Sequence, residues 1–220
     1  MTGKFIQIPS DIMKKVTNVH DERNIYVHPN PLARKIFWQR LQYAFGLIEK
    51  HVSGDSIVLD FGGGSGAFLP SLRSLFQHVA VVDRDVADAV NIAEHFGFTD
   101  IHFYQQDINS FEHNKKFDLI VATDVLEHFR DMQEPFVFME RYLKQGGYLL
   151  LTLPSENLLY ELGRILVSKS KPADHFHAAR DLVQFYCSNG YRQIASLNVP
   201  RWLGVGVPLF YVGLLRKDGN

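Results

Sequence analysis

The sequence predicts an α/β fold: a mainly parallel sheet with helices on both faces and an antiparallel edge. Three observations carry this. Short apolar runs alternate with segments of helical period along most of the chain. One run, Ile57-Val58-Leu59, closes on Asp60 and opens into Gly62, Gly63, Gly64 and Gly66, which reads as a buried strand, a glycine turn and a helix start. Near the end, Tyr191–Val199 and Leu209–Arg216 read as two strands with no helix between them, bordered by Pro200 and Pro208. A chain of 220 residues with 46% hydrophobic content suits one domain with a sizeable core.

The elements follow in order. Residues 1–31 read as an irregular arm, because Pro9, Pro29 and Pro31 each push the preceding residue towards extended geometry. That arm either packs on the domain or acts as a lid whose Tyr26 or His28 reaches a ligand. Leu32–His51 is an amphipathic helix with Ile36, Phe37, Leu41, Ala44, Phe45 and Ile48 on its apolar stripe. A helix over Ala67–Phe76 follows the glycine turn, and His78–Asp83 is a second strand ending in an acid. Val86–Phe96 is helical, and Ile101–Gln106 is a third strand followed by Asp107-Ile108. Lys116–Thr123 is a fourth strand that runs on into Asp124-Val125-Leu126-Glu127-His128-Phe129. Glu134–Leu143 is a helix, Gly146-Gly147 a turn, and Tyr148–Leu153 a fifth strand ending at Pro154. Leu158–Val167 is apolar on nearly every side, 168–177 is a polar loop, and Ala178–Ser188 is a helix closed by Asn189-Gly190.

Bulk properties narrow the function. A formal net charge of −1 and a pI of about 6.8 argue against a nucleic-acid binder working by charge. The lone Cys187 permits no intramolecular disulfide and reads as a buried thiol rather than a nucleophile. The first residues lack the apolar core and cleavage site of a signal peptide, and the apolar tract 202–215 is too short for a bilayer and is broken by Pro208. A cytoplasmic enzyme is the expectation.

Clustered glycines cost conformational entropy and are retained where backbone takes positive φ or a ligand comes close. Free N–H groups at the start of the following helix suit the loop to a polar or anionic ligand group. Two cofactors fit such a loop. Gly62, Gly64 and Ala67 satisfy the dinucleotide fingerprint G-x-G-x-x-G/A, whereas Asp60, Gly62, Gly64 and Gly66 satisfy the D/E-x-G-x-G-x-G of S-adenosylmethionine (SAM) sites. Asp60 favours SAM, since an acid repels a pyrophosphate and attracts the ammonium and sulfonium of SAM. Asp83 falls at a strand end about 20 residues past the loop, where a carboxylate fork holds ribose hydroxyls. Arg84 beside it is either a solvated neighbour or, in a dinucleotide site, a partner for a 2′-phosphate. Asp107 and Ile108 either meet an adenine amino group and ring face, or Asp107 caps a turn. Asp124, Glu127 and His128 lie beyond the carboxyl end of a central strand, the edge at which ligands bind in such sheets.

Taken together, VLDFGGGSG at 58–66, VVD at 81–83, QQD at 105–107, FDLIVATDVLEH at 117–128 and LKQGGYLLLTLP at 143–154 resemble the class I SAM-dependent methyltransferases, in particular the small bacterial and archaeal group that includes ubiquinone-biosynthesis-type enzymes. The resemblance covers roughly residues 55–155. It implies a Rossmann-like seven-stranded sheet of order 3-2-1-4-5-7-6 with the seventh strand antiparallel. It also implies an organisation of arm and helix (1–51), SAM-binding core (52–154), substrate-lid insert (155–180) and C-terminal helix and strand pair (181–220). Residue by residue, it implies that Asp60, Gly62 and Gly64 line the methionine part of SAM, with Asp124 beside it; Gly63, often another small residue in the family, is counted with the cofactor-binding loop. Asp83, with Arg84 adjacent, would hold the ribose, and Asp107 with Ile108 the adenine.

Methyl transfer is an in-line displacement, so the protein aligns the partners and excludes water. A hydroxyl acceptor also needs a base, and His128, His175 and His177 are the candidates. The N/D-P-P-Y/F turn of adenine and glutamine N-methylating enzymes is replaced here by Thr123-Asp124-Val125-Leu126, and Cys187 is poorly placed for cytosine C5 chemistry. A small-molecule, glycan or lipid-linked acceptor, methylated on oxygen, is the expectation, with no nucleic acid, no metal and no transmembrane segment. The alternatives are an NAD(P)-dependent oxidoreductase and a non-catalytic SAM-binding module.

Overall fold

The computed structural model describes residues 2–17, 25–155, 176–200 and 209–219. Seven strands form one sheet: β1 Ile57–Phe61, β2 His78–Asp83, β3 His102–Gln105, β4 Phe117–Thr123, β5 Leu143–Pro154, β6 Tyr191–Val199 and β7 Phe210–Lys217. Their order is β3-β2-β1-β4-β5-β7-β6, with β1 to β5 parallel and β7 antiparallel to both its neighbours. This is the fold and the strand order expected from the resemblance.

Strand residues alternate between two cores, as the two-residue period of a strand requires. Val58, Val81, Leu119, Val121, Leu150, Val212 and Leu214 face α2 Pro31–His51, α3 Leu69–Leu75 and α4 Ala87–Phe96. Leu59, Phe61, Val82, Ile120, Ala122, Leu151 and Leu215 face α5 Gln133–Tyr142 and α6 Ala179–Ser188. Buried on both faces, the central strands read as continuous apolar runs in the sequence. Helix α2 starts where it does because the Asn30 side chain accepts from the Leu32 and Ala33 N–H groups, and Pro31 suits the first turn. Among the described residues no helix is long and apolar enough to cross a membrane.

Three expectations need correction. The arm is not irregular throughout: α1 Ser10–Val16 follows Pro9, and a 3-10 turn spans Ile25–Val27. Only Met13 of α1 is buried, so no apolar stripe announced it. β4 ends at Thr123 as read, and the stretch after it holds a 3-10 turn, Leu126–His128. The glycine pair does not precede β5. It lies inside it, where a register shift between Phe117 and Leu119 absorbs the irregularity and Gly146 takes φ +72°. Finally, Cys187 is exposed. The buried stripe of α6 is Ala179, Leu182 and Tyr186, and the residue after Tyr186 turns about 100° away from it. The apolar segment 158–167 and most of the 155–180 insert lie outside the described residues, as do positions 202–208 of the apolar tract.

Candidate functional site

The carboxyl ends of β1, β2 and β4 converge on the glycine loop. Gly62 donates its N–H to the Val82 carbonyl at 2.8 Å, which ties the loop to β2. Its φ is +72°, and a Cβ there would stand 2.6 Å from Val125 Cγ2, so both backbone and space require glycine. Gly66 (φ +69°) lets α4 approach, since a Cβ would lie 2.7 Å from Ala89 Cα. Gly63 sits over Val81 and the Asp60 carboxylate.

Asp83 holds the loop from β2. Its Oδ2 accepts the Gly64 N–H at 2.8 Å and its Oδ1 accepts the Asp85 N–H at 3.1 Å. A cleft of about 350 Å³ opens beside it, lined by Phe61, Gly62, Val125 and Phe129 together with Asp83, Arg84, Asp107 and Ile108. His128 lines this same cleft. Asp107 does cap a turn: Oδ1 accepts the Asn109 N–H at 3.0 Å, while Oδ2 meets Arg84 Nε at 3.2 Å. The Asn109 backbone hydrogen bond, then Arg84, holds the Asp107 carboxyl below its ordinary value. Arg84 itself is 81% exposed, a solvated neighbour of the cleft.

A second polar cluster lies at the other end of the loop. Asp60 is 1% exposed, and burial, with the charge of Asp83 added, pushes its carboxyl up to about 7. Its Oδ1 has no hydrogen-bond partner among the described residues. Asp124 has φ +53°, a strained value for a non-glycine residue, and is pinned at both ends. Its N–H donates to the Thr152 carbonyl at 3.0 Å, and its Oδ1 accepts the Thr152 hydroxyl at 2.7 Å. Its Oδ2 is ion-paired with Arg40 Nη1. Arg40, on α2 and 3% exposed, also donates through Nη2 to the Tyr26 hydroxyl at 2.8 Å. Burial raises the Tyr26 hydroxyl above its ordinary value; Arg40 opposes that rise and Asp60 adds to it, so the three side chains share one electrostatic environment. Arg40 Nε has no hydrogen-bond partner among the described residues.

The structure therefore brings together Asp60, Gly62, Gly63, Gly64, Asp83, Arg84, Asp107, Ile108, Asp124 and His128 along one edge. His177 stands apart from the cleft lining, with Nε2 3.1 Å from the Arg130 carbonyl. His175 lies outside the described residues. Arg40 and Thr152 were missed. The signal for Arg40 was present: it stands in the ladder Ile36, Arg40, Ala44, Ile48, a cation in the middle of an i, i+4 apolar row. Among the described residues no group of three or more His, Cys, Asp or Glu side chains is disposed to hold a metal.

A glycine loop joined to β1, a carboxylate at the end of β2 and the 3-2-1-4-5-7-6 sheet define the class I, SAM-dependent methyltransferase architecture. The chain belongs to the family described as "Methyltransferase domain", whose pattern matches residues 34–196. Among curated proteins it is 26% identical over 133 residues to a ubiquinone biosynthesis O-methyltransferase of Rickettsia canadensis, covering 58% of this chain and 56% of that one. It is 24% identical over 114 residues to a malonyl-[acyl-carrier protein] O-methyltransferase 2 of Ilyobacter polytropus, covering 50% and 44%. The chain thus spans about half the length of the curated relatives it matches. Its fold matches that of the N-methyltransferase NodS from Bradyrhizobium japonicum WM9, solved with S-adenosyl-L-homocysteine, at a TM-score of 0.65 and 17% identity over 96% of this chain and 98% of that one.

Proposed function

We propose that the chain transfers a methyl group from SAM to an oxygen of a small-molecule, glycan or lipid-linked acceptor. The observation that carries the cofactor part is a complementary pair of unsatisfied buried atoms, the Asp60 Oδ1 acceptor and the Arg40 Nε donor. Buried polar atoms are rarely left unpaired, and an acceptor and a donor orphaned in one cluster match the ammonium and carboxylate of an amino-acid end. A dinucleotide offers neither group, and its pyrophosphate would meet the carboxylates of Asp60 and Asp83. The residues present therefore fit SAM, which when bound supplies a methyl group on a positively charged sulfur.

In this reading Asp60 and Asp124 receive the ammonium, and Arg40 the carboxylate. Gly62, Gly63 and Gly64 let the ligand lie against backbone. Asp83 accepts from the ribose hydroxyls while keeping its hold on the Gly64 N–H. Asp107 and Ile108 take the adenine edge and face, and Arg84 holds Asp107 in place. The proton of a hydroxyl acceptor falls to His128, His175 or His177. His128 is the first to test because it already lines the cleft. Oxygen as the acceptor atom is supported by the two O-methyltransferase relatives, and the lid role of 155–180 by its position after β5.

Calorimetric titration with S-adenosylhomocysteine, with NADH and NADPH in parallel, tests the reading. Saturable binding of S-adenosylhomocysteine alone, weakened at least tenfold in Asp83→Ala, supports it. Binding of a dinucleotide alone overturns it. Tight S-adenosylhomocysteine binding without turnover over a broad acceptor panel would favour a non-catalytic SAM-binding module.

A further inference from the structure

Tyr26 is not part of the nucleoside cleft, yet it is built into the cluster at the amino-acid end. Its ring is fixed on its own account, 4.8 Å from the Trp38 ring and edge-on to Phe37 at 6.5 Å. Arg40 packs against Phe37 and Phe210, its guanidinium carbon 4.9 Å and 5.1 Å from their centroids. The two rings limit where the guanidinium plane can lie. Asp124 on Nη1 and Tyr26 on Nη2 then limit its rotation. A guanidinium is a rigid fork, so holding its two terminal nitrogens also sets the direction of the remaining Nε–H. Nε and Nη1 both lack a hydrogen-bond partner among the described residues, but Nη1 has its ion pair with Asp124, so Nε–H is the donor left over. In a buried setting the strength of a charged hydrogen bond depends on this alignment.

We propose that Tyr26 is a positioning residue for the amino-acid end of the cofactor: its hydroxyl orients Arg40, so the N-terminal arm sets affinity for that end and not for the nucleoside. The proposal rests on the reading that Arg40 receives the cofactor's carboxylate. It places the arm's contribution two bonds of interaction away from the ligand. The arm need not touch the cofactor to control its binding.

The test compares S-adenosylhomocysteine with 5′-methylthioadenosine, which keeps the nucleoside and the sulfur but has no amino-acid end. Both are titrated into the full chain, wild type, Tyr26→Phe, Arg40→Gln and the double variant. Tyr26→Phe keeps the ring and its contacts with Trp38 and Phe37, and removes only the hydroxyl. It is expected to weaken S-adenosylhomocysteine about fivefold to tenfold, the order of one ordinary intramolecular hydrogen bond, and to leave 5′-methylthioadenosine within about twofold. In the double variant, Tyr26→Phe should add nothing to Arg40→Gln. Equal weakening of both ligands, or full additivity, overturns the proposal. If Arg40→Gln weakens S-adenosylhomocysteine selectively and Tyr26→Phe does not, the role of Arg40 stands and the proposal alone falls. If Arg40→Gln has no selective effect, the assignment of Arg40 fails and the proposal falls with it. Should Arg40→Gln not fold, the selectivity seen in Tyr26→Phe decides by itself.

Discussion

Replacing Asp60 by Asn should remove one contribution to the fall of the protein's stability with rising pH. Asp60 is almost fully buried, and its carboxyl is pushed from 3.8 to about 7 by burial first and by Asp83 second. In the unfolded chain the same group ionises near its ordinary value. Between about pH 4 and pH 7 the folded state therefore holds a proton that the unfolded state has lost, and stability falls as pH rises through that window. Above pH 7 the folded protein carries the whole cost of a buried carboxylate. At 1.36 kcal/mol per pKa unit, the gap between 3.8 and about 7 sets an upper bound on the order of 4 kcal/mol. Asn is isosteric and uncharged, so the variant escapes this cost. Urea unfolding of both proteins from pH 4 to pH 8.5 should show Asp60→Asn gaining on the wild type steadily up to pH 7, then levelling. Any fixed cost of burying the amide shifts the whole curve without tilting it. The same ionisation should strengthen S-adenosylhomocysteine binding in the wild type as pH rises, and leave the variant's weaker binding flat. A stability difference that does not vary between pH 4 and pH 8 would refute the account of Asp60 as a buried, partner-poor carboxylate.

Other substitutions have definite outcomes. Gly66→Ala puts a Cβ 2.7 Å from Ala89 Cα at φ +69°, backbone against backbone, and should lower the unfolding free energy by about 1–3 kcal/mol, read from the urea midpoint. Asp83→Ala removes the acceptor for the Gly64 and Asp85 N–H groups as well as the proposed ribose contact, so S-adenosylhomocysteine affinity should drop at least tenfold. His128→Ala should cut turnover on an identified hydroxyl acceptor while S-adenosylhomocysteine still binds; unchanged turnover removes His128 from the proton-transfer role.

The central strands β1, β2 and β4 were legible because each is a short apolar run that ends at or beside an acid, and the β2 and β6 bounds fall where the pattern placed them. The glycine turn was legible for a related reason: Gly62, Gly64 and Gly66 each take a positive φ, a demand set by the local backbone. What escaped depended on contacts distant in sequence. Arg40 reaches Asp124 from α2, and Thr152 reaches it from β5. A threonine within an apolar strand carries no mark of the carboxylate it holds; the apolar row around Arg40 marks it as buried but not which carboxylate it meets. The exposure of Cys187 follows from helix phase, which composition alone does not resolve.

The position of β7 has a consequence for how the chain assembles. It follows β6 in sequence, yet it lies inside the sheet, between β5 and β6. As synthesis proceeds, β5 can pair with β4 on one side while its other edge waits for residues 210–216. That waiting edge is Tyr148-Leu149-Leu150-Leu151-Thr152-Leu153, an apolar row of unpaired backbone groups and a template for pairing between chains. A nascent or truncated chain that stops before Phe210 should therefore accumulate as aggregates, and the same chain should be rescued by supplying the β7 segment as a peptide.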